Sequence, residues 1–305
     1  MSRFGGSLLV LGLAVVSFAA APARAQSVVA VTETLDFDRP ESWGMKYYAS
    51  LALLTSMGAP ETRAAGAIDL GFEGSYVPQM SDEERRIGFN GTKLEDVNKT
   101  SFFGRIRGSV GLGKGVALEL GWTPPVLVGG AKPNIFALAL GRPFALSETW
   151  RLGVRGYGQL GTIEADITCS ADEAAAGDDL QQNPFQCVEP SQDESRQKVI
   201  GLELVAGYDG ESRFKPYLGL GVNYMDLEFQ VSAIYAGGLV EDHNLQLTSG
   251  TTLSATAGLT FEAGKRWRVT GELFYSWLGI TRPPSTTSAN EGFFNGRVFV
   301  SYRVR

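Results

Sequence analysis

The sequence predicts an all-β fold: an antiparallel transmembrane β-barrel of about ten strands, with long loops at one end and short turns at the other. Three observations predict it. Long stretches alternate apolar with polar residues, the connections between them alternate long with short, and the chain opens on an export-type segment.

The alternation is clearest from Leu253 to Trp277. Leu253, Ala255, Ala257, Leu259 and Phe261 alternate with Ser254, Thr256, Gly258, Thr260 and Glu262. After a turn at Ala263-Gly264-Lys265-Arg266, Trp267, Val269, Gly271, Leu273, Tyr275 and Trp277 alternate with Arg268, Thr270, Glu272, Phe274 and Ser276. Successive side chains on a strand point to opposite faces, so this is a hairpin with one apolar and one polar face. Its strands exceed the ~5–6 residues usual in globular sheets and reach the ~9–11 tilted residues that span a bilayer. Aromatic residues end the second apolar face at both membrane interfaces.

In chain order, residues 1–25 read as a secretory signal peptide. Arg3 supplies the positive start, Leu8 to Ala21 the apolar core, and Ala23-Arg24-Ala25 the small-x-small cleavage site. Residues 26–66 form an N-terminal lead with two readings. Over 41–57, Trp43, Met45, Tyr47, Ala49, Leu51 and Leu53 make one face of a strand. Alternatively Asp38 caps a helix, Pro40 and Glu41 open its first turn, and Trp43, Tyr47, Leu51 and Leu54 share a face. A helix would plug the barrel from inside or beneath. Strands at both 27–37 and 41–57 would make the barrel twelve-stranded.

The barrel itself occupies 67–305. Ile68, Leu70, Phe72 and Tyr76 oppose Asp69, Glu73 and Ser75. Phe102, Ile106, Val110 and Leu112 oppose Arg105, Arg107 and Ser109; Val116, Leu118, Leu120 and Trp122 oppose Glu119 and Thr123. Phe136, Leu138 and Leu140 alternate with small residues, and Trp150, Leu152 and Val154 oppose Arg151, Arg155, Tyr157 and Gln159. Ile200, Leu202, Leu204 and Tyr208 oppose Glu203; Leu218, Leu220, Val222 and Tyr224 oppose Tyr217, Asn223 and Met225. After the Leu253–Trp277 hairpin, Val298, Val300, Tyr302 and Val304 oppose Arg297, Ser301 and Arg303.

Long connections follow strands ending near 77, 124, 165, 230 and 279, including loops at 79–100, 166–197 and 232–249. Short ones follow strands ending near 113, 143, 209 and 263. An outer-membrane barrel shows this alternation, with short periplasmic turns and long external loops. The even strand count places both termini on the periplasmic side. Closure follows because lipid cannot satisfy an exposed strand edge.

The chain resembles bacterial outer-membrane β-barrel proteins over most of 67–305. The resemblance rests on these strands and on the last one, where Asn295, Val300 and Tyr302 fit the pattern the insertion machinery reads. Arg297 stands where glycine is usual, and Arg303-Val304-Arg305 runs past the terminal aromatic. The resemblance implies an outer-membrane location and contact with membrane lipid and lipopolysaccharide.

The polar faces gather Arg105, Arg107, Glu119, Arg151, Arg155, Glu203, Glu262, Arg268, Glu272, Arg297 and Arg303 in the lumen. Unpaired buried charges are costly, so these predict a ladder of Arg–Glu pairs that fills the interior. A narrow arginine-lined pore for small polar or anionic solutes is the sharper reading. The role expected is a small passive channel or structural membrane protein. A surface adhesin acting through the long loops is the other binding-type reading.

Other chemistry is thinly represented. With 33 acidic against 27 basic residues and a net charge of −6, nucleic acid is not an expected partner. Cys169 and Cys187 predict a disulfide within one external loop of an exported chain. Two cysteines and one histidine cannot build a four-ligand zinc site of that type. That loop's Asp172, Glu173, Asp178, Asp179, Glu189, Asp193 and Glu194 match no calcium loop. Gly111-Leu112-Gly113-Lys114-Gly115 lacks the Ser/Thr and helix of a phosphate loop and reads as a hairpin turn. His243, beside Glu241 and Asp242, has no serine nucleophile motif nearby, so neither enzymatic activity nor a cofactor is expected.

Overall fold

A computed structural model describes residues 27–305. The signal peptide expected over 1–25 lies outside the described residues. Ten long strands run up and down in chain order: β1 (Ile68–Tyr76), β2 (Phe102–Gly113), β3 (Val116–Thr123), β4 (Ala131–Ala145), β5 (Trp150–Ala165), β6 (Asp193–Tyr208), β7 (Phe214–Gln230), β8 (Leu245–Ala263), β9 (Trp267–Trp277) and β10 (Phe293–Arg303). Each pairs antiparallel with the next. β10 returns to β1, with Val300 opposite Phe72, and closes the wall. Short turns and long loops alternate around it, and the Cys169–Cys187 disulfide pins the loop between β5 and β6.

The period-two pattern decides which side faces what. Ile200, Leu218 and Leu220 are 69%, 65% and 65% exposed on the outside, a surface water would not tolerate over so wide an area. Aromatic residues form two belts. At the short-turn end Trp150 meets Tyr208, Phe214 meets Phe261 and Trp267 meets Tyr302, with ring centroids 5.0–6.1 Å apart. At the long-loop end stand Tyr76, Phe102, Trp122, Tyr275 and Trp277. Trp267 to Trp277 covers about 34 Å of strand at ~3.4 Å per residue, or about 24 Å of depth at a ~45° tilt. That matches the ~25 Å apolar band of membrane barrels.

Two loops are shorter than their sequence suggests. β6 begins at Asp193 and β8 at Leu245, inside the loops expected at 166–197 and 232–249. Above the aromatic belt the ladders continue, but their outward faces carry ion pairs: Lys198–Glu228 at 3.2 Å and Lys132–Glu164 at 3.0 Å. The apolar pattern therefore ends where lipid ends, not where the strand ends.

The N-terminal segment corrects two expectations. Residues 40–51 are the helix α1 (Pro40–Leu51), so the barrel is not twelve-stranded. Arg39, not Asp38, is its N-cap residue, with no side-chain cap bond; Asp38 faces Lys46 instead. Nor does the described chain begin at the short-turn end. Ser27–Val29 pairs in parallel with Val240–Asp242, and Thr32–Thr34 with the outer extension of β8 at Leu245–Leu247, both at the long-loop end. From there α1 and residues 52–67 descend through the lumen to the short-turn end, where Gly66 N donates to Gly111 O and β1 begins.

Leu220→Arg tests the lipid-facing assignment. Near mid-band it is expected to cost ~2–4 kcal/mol of folding stability in vesicles, measured by urea titration. A loss below ~0.5 kcal/mol, usual for a water-exposed site, would refute it.

Candidate functional site in the barrel lumen

The lumen is occupied by the protein's own N-terminal segment. Helix α1 is buried all round except at Tyr48, which is half-buried. That is why its sequence shows no clean helical stripe: a helix surrounded by protein has no solvent face. Its upper part is tied to the long loops. Trp43 Nε1 donates to Glu291 O at 2.9 Å, Tyr47 Oη to Pro78 O at 2.7 Å and Tyr48 Oη to Val97 O at 2.9 Å. Lys46 Nζ, fully buried, donates to Gly279 O at 2.6 Å and lies over the Phe37 ring.

The lower end poses a stronger requirement. A helix leaves its last four carbonyls without intrahelical partners, and this one ends inside a closed wall. The unwound residues 52–55 that follow it bring further carbonyls into the same enclosed space. Four arginines from the wall donate to this stretch, and of these Arg297 reaches the helix end itself. Arg297 bonds Leu53 O at 2.9 Å and Ser50 O at 3.3 Å. Arg105 donates to Ala52 O, Arg155 to Leu54 O, and Arg107 to Thr55 O at 2.6 Å. Positive charge also suits the negative end of the helix dipole.

Four glutamates balance these arginines. Glu73 lies 3.0 Å from Arg107 and 3.7 Å from Arg105. Glu119 bridges Arg107 and Arg155, and Glu203 meets Arg155 at 3.0 Å. Glu272 accepts from Thr55 Oγ1 at 2.7 Å and from Tyr217 Oη at 2.9 Å. Gly258 makes room there, since a Cβ would fall on the Tyr217 ring. The wall and plug thus share one hydrogen-bonded network.

The sequence-derived residues divide into two tiers. Arg105, Arg107, Glu119, Arg155, Glu203, Glu272 and Arg297 meet around residues 50–56. Arg151, Glu262, Arg268 and Arg303 stand lower, at the short-turn mouth. Arg151 pairs with Asp209 and Glu262 with Lys215. Arg268 and Arg303 both clasp Glu61 of the plug and Asp69 of β1. Arg63 joins them, 3.1 Å from Glu61 and 2.7 Å from Asp69. Glu73, Asp69, Glu61 and Arg63 were not among the lumen candidates. Glu73 and Asp69 were findable, because they share the polar face of β1. Glu61 and Arg63 lie in an extended segment without periodicity. A cavity of about 140 Å³ lies at the short-turn mouth, bordered by Ser56, Glu61, Glu119 and Arg155, and another of about 170 Å³ lies beside α1 at the long-loop end, bordered by Met45, Tyr48 and Phe229.

Outside the lumen, His243 is part of the loop after β7, where Nε2 lies 2.9 Å from Glu241 Oε1 and its backbone N donates to Val29 O.

Two expectations follow. Arg297→Ala strips carbonyls and Asn295 of their donor and leaves buried carboxylates less compensated, which costs ~3–5 kcal/mol. The unheated electrophoretic band should shift to the unfolded position at lower temperature. The second concerns Glu61, which sits on the plug and not on a wall strand. Burial opposes its ionisation, but Arg268, Arg63 and Arg303 prevail and hold its carboxyl at about 2, below the ordinary 4.5. A depressed carboxylate adds stability above its ordinary pKa and loses it as pH falls toward the folded value. Amide exchange across 56–66 should therefore accelerate between roughly pH 4.5 and 2, and Glu61→Gln should abolish that dependence.

No protein-family model matches the chain, and no curated protein matches it. Solved structures do. The attachment invasion locus protein Ail of Yersinia pestis aligns at 11% identity and a TM-score of 0.30, covering 78% of this chain and 98% of that one. The translocator domain of the autotransporter NalP from Neisseria meningitidis aligns at 12% and 0.42, covering 80% and 90%. The outer membrane protease OmpT from Escherichia coli aligns at 10% and 0.36, covering 83% and 98%. These are likenesses of fold, with no bearing on role. The strand pairing and the outward apolar band themselves make this chain a closed, ten-stranded antiparallel barrel built to cross a bilayer, its lumen filled by its own N-terminal segment.

Proposed function

We propose that the protein is a structural outer-membrane barrel, or a passive channel held shut, whose lumen passes no solute while the N-terminal segment is seated. The arginine–carbonyl bonds carry this reading. Arg105, Arg107, Arg155 and Arg297, which an open pore would present to anions, all donate to the plug backbone instead, and Arg107 and Arg155 donate to glutamates as well. A cavity of about 140 Å³ at one mouth holds only a few waters at ~30 Å³ each, with α1 above it. Anionic or polar solutes are partners only of the unplugged state.

The reading extends to location. Export into a bacterial outer membrane fits the short turns facing the periplasm and the long loops facing out. The outward Val298, Val300 and Tyr302 of β10 are what the barrel insertion machinery would receive. In that orientation residues 27–39 are external.

Planar-bilayer recording tests closure. The intact protein is expected to give no sustained conductance steps, and a chain lacking residues 27–61 is expected to give them. Steps of the same size from both would end the plugged reading. Orientation has its own test: Val28→Cys on intact cells should react with a membrane-impermeant maleimide, and Lys265→Cys should not.

A further inference from the structure

The wall is interrupted at the upper edge of its apolar band. β3 is the shortest of the ten strands after Thr123, where Pro124 and Pro125 end it, since neither can donate to a ladder. Its pairing with β2 stops at Ile106–Trp122 and with β4 at Thr123–Ile135. Above that level Phe102 to Arg105 pair only with β1, and Lys132 to Asn134 only with β5; Ala131 also bridges Val128, and Gly130 N donates to Lys99 O across the top of the gap. β2 and β4 therefore part, leaving a window in the upper half of the wall.

A recess of about 320 Å³ passes through this window. Its outer lip is lipid-facing: Phe72, Phe102 and Ile106 are 46–50% exposed. Its floor is the plug, at Tyr48, Leu51 and Ala52, with buried Val77, Val97 and Ile163 beside it. The loop over it, 124–130, differs from the other external connections. It carries no charge, and Val126, Leu127 and Val128 are 57%, 66% and 38% exposed. Such a loop suits contact with hydrocarbon better than with water. The space could hold about ten waters at ~30 Å³ each, yet each needs two to four polar partners. The lining offers few. One of them, the Thr123 hydroxyl, is 2% exposed and has no hydrogen-bond partner among the described residues.

We propose that this recess binds an acyl chain of an outer-leaflet lipid, inserted sideways through the window onto the plug helix. The occupant is identified by the medium at that depth, by the apolar lining and by the width of the opening. The chain fills a gap the β-ladder leaves and packs against Leu51 and Ala52, next to the carbonyls that the arginines hold. The proposal concerns the wall and stands whether or not the plug ever moves.

Two measurements test it. In native mass spectrometry of protein extracted from phospholipid vesicles, one phospholipid should persist after the annular lipid has been stripped. Ala131→Phe, which fills the recess from β4, should lose that lipid while the unheated electrophoretic band stays folded. Retention of none by the intact protein, of detergent in place of lipid, or of an equal amount by the variant would overturn the proposal. Should Ala131→Phe fail to fold, Tyr48→Trp in vesicles of acyl-brominated phosphatidylcholine gives a second readout. The added emission, taken as the difference from the unsubstituted protein, should be quenched; unquenched emission would overturn the lipid assignment.

Discussion

A chain that leaves a helix and unwinds inside a closed wall must find donors for its free carbonyls, here those of residues 50–55, and the protein's interior is arranged around that need. The wall encloses that stretch and lipid lies beyond the strands, so side chains are the donors within reach. Arginine suits the task because its planar fork carries five donors and never loses its charge. Arg105, Arg107 and Arg155 each meet both a plug carbonyl and a wall carboxylate, while Arg297 joins plug carbonyls to Asn295 of the wall. That double duty couples the wall to the plug more tightly than either set of contacts could alone.

This arrangement changes the meaning of a charged lumen. Arginines and glutamates facing inward suggest a selectivity ring when seen as a list of residues. With the plug seated, each of the four central arginines donates to a plug carbonyl, though Arg105 Nε and Nη1 and Glu73 Oε1 stay without a hydrogen-bond partner among the described residues. Glu73, Glu119, Glu203 and Glu272 balance Arg105, Arg107, Arg155 and Arg297, and the buried charges are tolerable only as a set. At the short-turn mouth, Glu61 and Asp69 held between Arg63, Arg268 and Arg303 form a second fastening. The plug is anchored at three heights: by loops above, arginines midway and ion pairs below.

The outer surface obeys a simpler rule. Where lipid touches the wall the residues are apolar, and two aromatic belts mark the limits. Beyond the upper belt the same strands continue with Lys198, Glu228, Lys132 and Glu164 outward. The window above β3 is where a proline pair stops the ladder at the upper edge of the lipid band. An uncharged loop covers it, which suits a surface bathed in hydrocarbon.

The sequence by itself determined the wall. Period-two alternation fixed the strands and which side faced lipid, because a one-residue slip would turn every side chain over. Alternating connection lengths gave the up-and-down order, and Cys169 and Cys187 gave their pairing. It also put Arg105, Arg107 and Arg297 on the inner face, but not what they bond. Tertiary structure alone decided the fate of residues 27–67. Helix α1 is enclosed on nearly every side, so its residues fit a strand face through Trp43, Met45, Tyr47 and Ala49 as well as a helix face through Trp43, Tyr47 and Leu51, and period alone cannot choose between them. Its ties to Glu291, Pro78 and Gly279 span tens to hundreds of residues. Local pattern carries no trace of such contacts, so only the folded chain could show that the segment starts at the long-loop end and descends through the barrel.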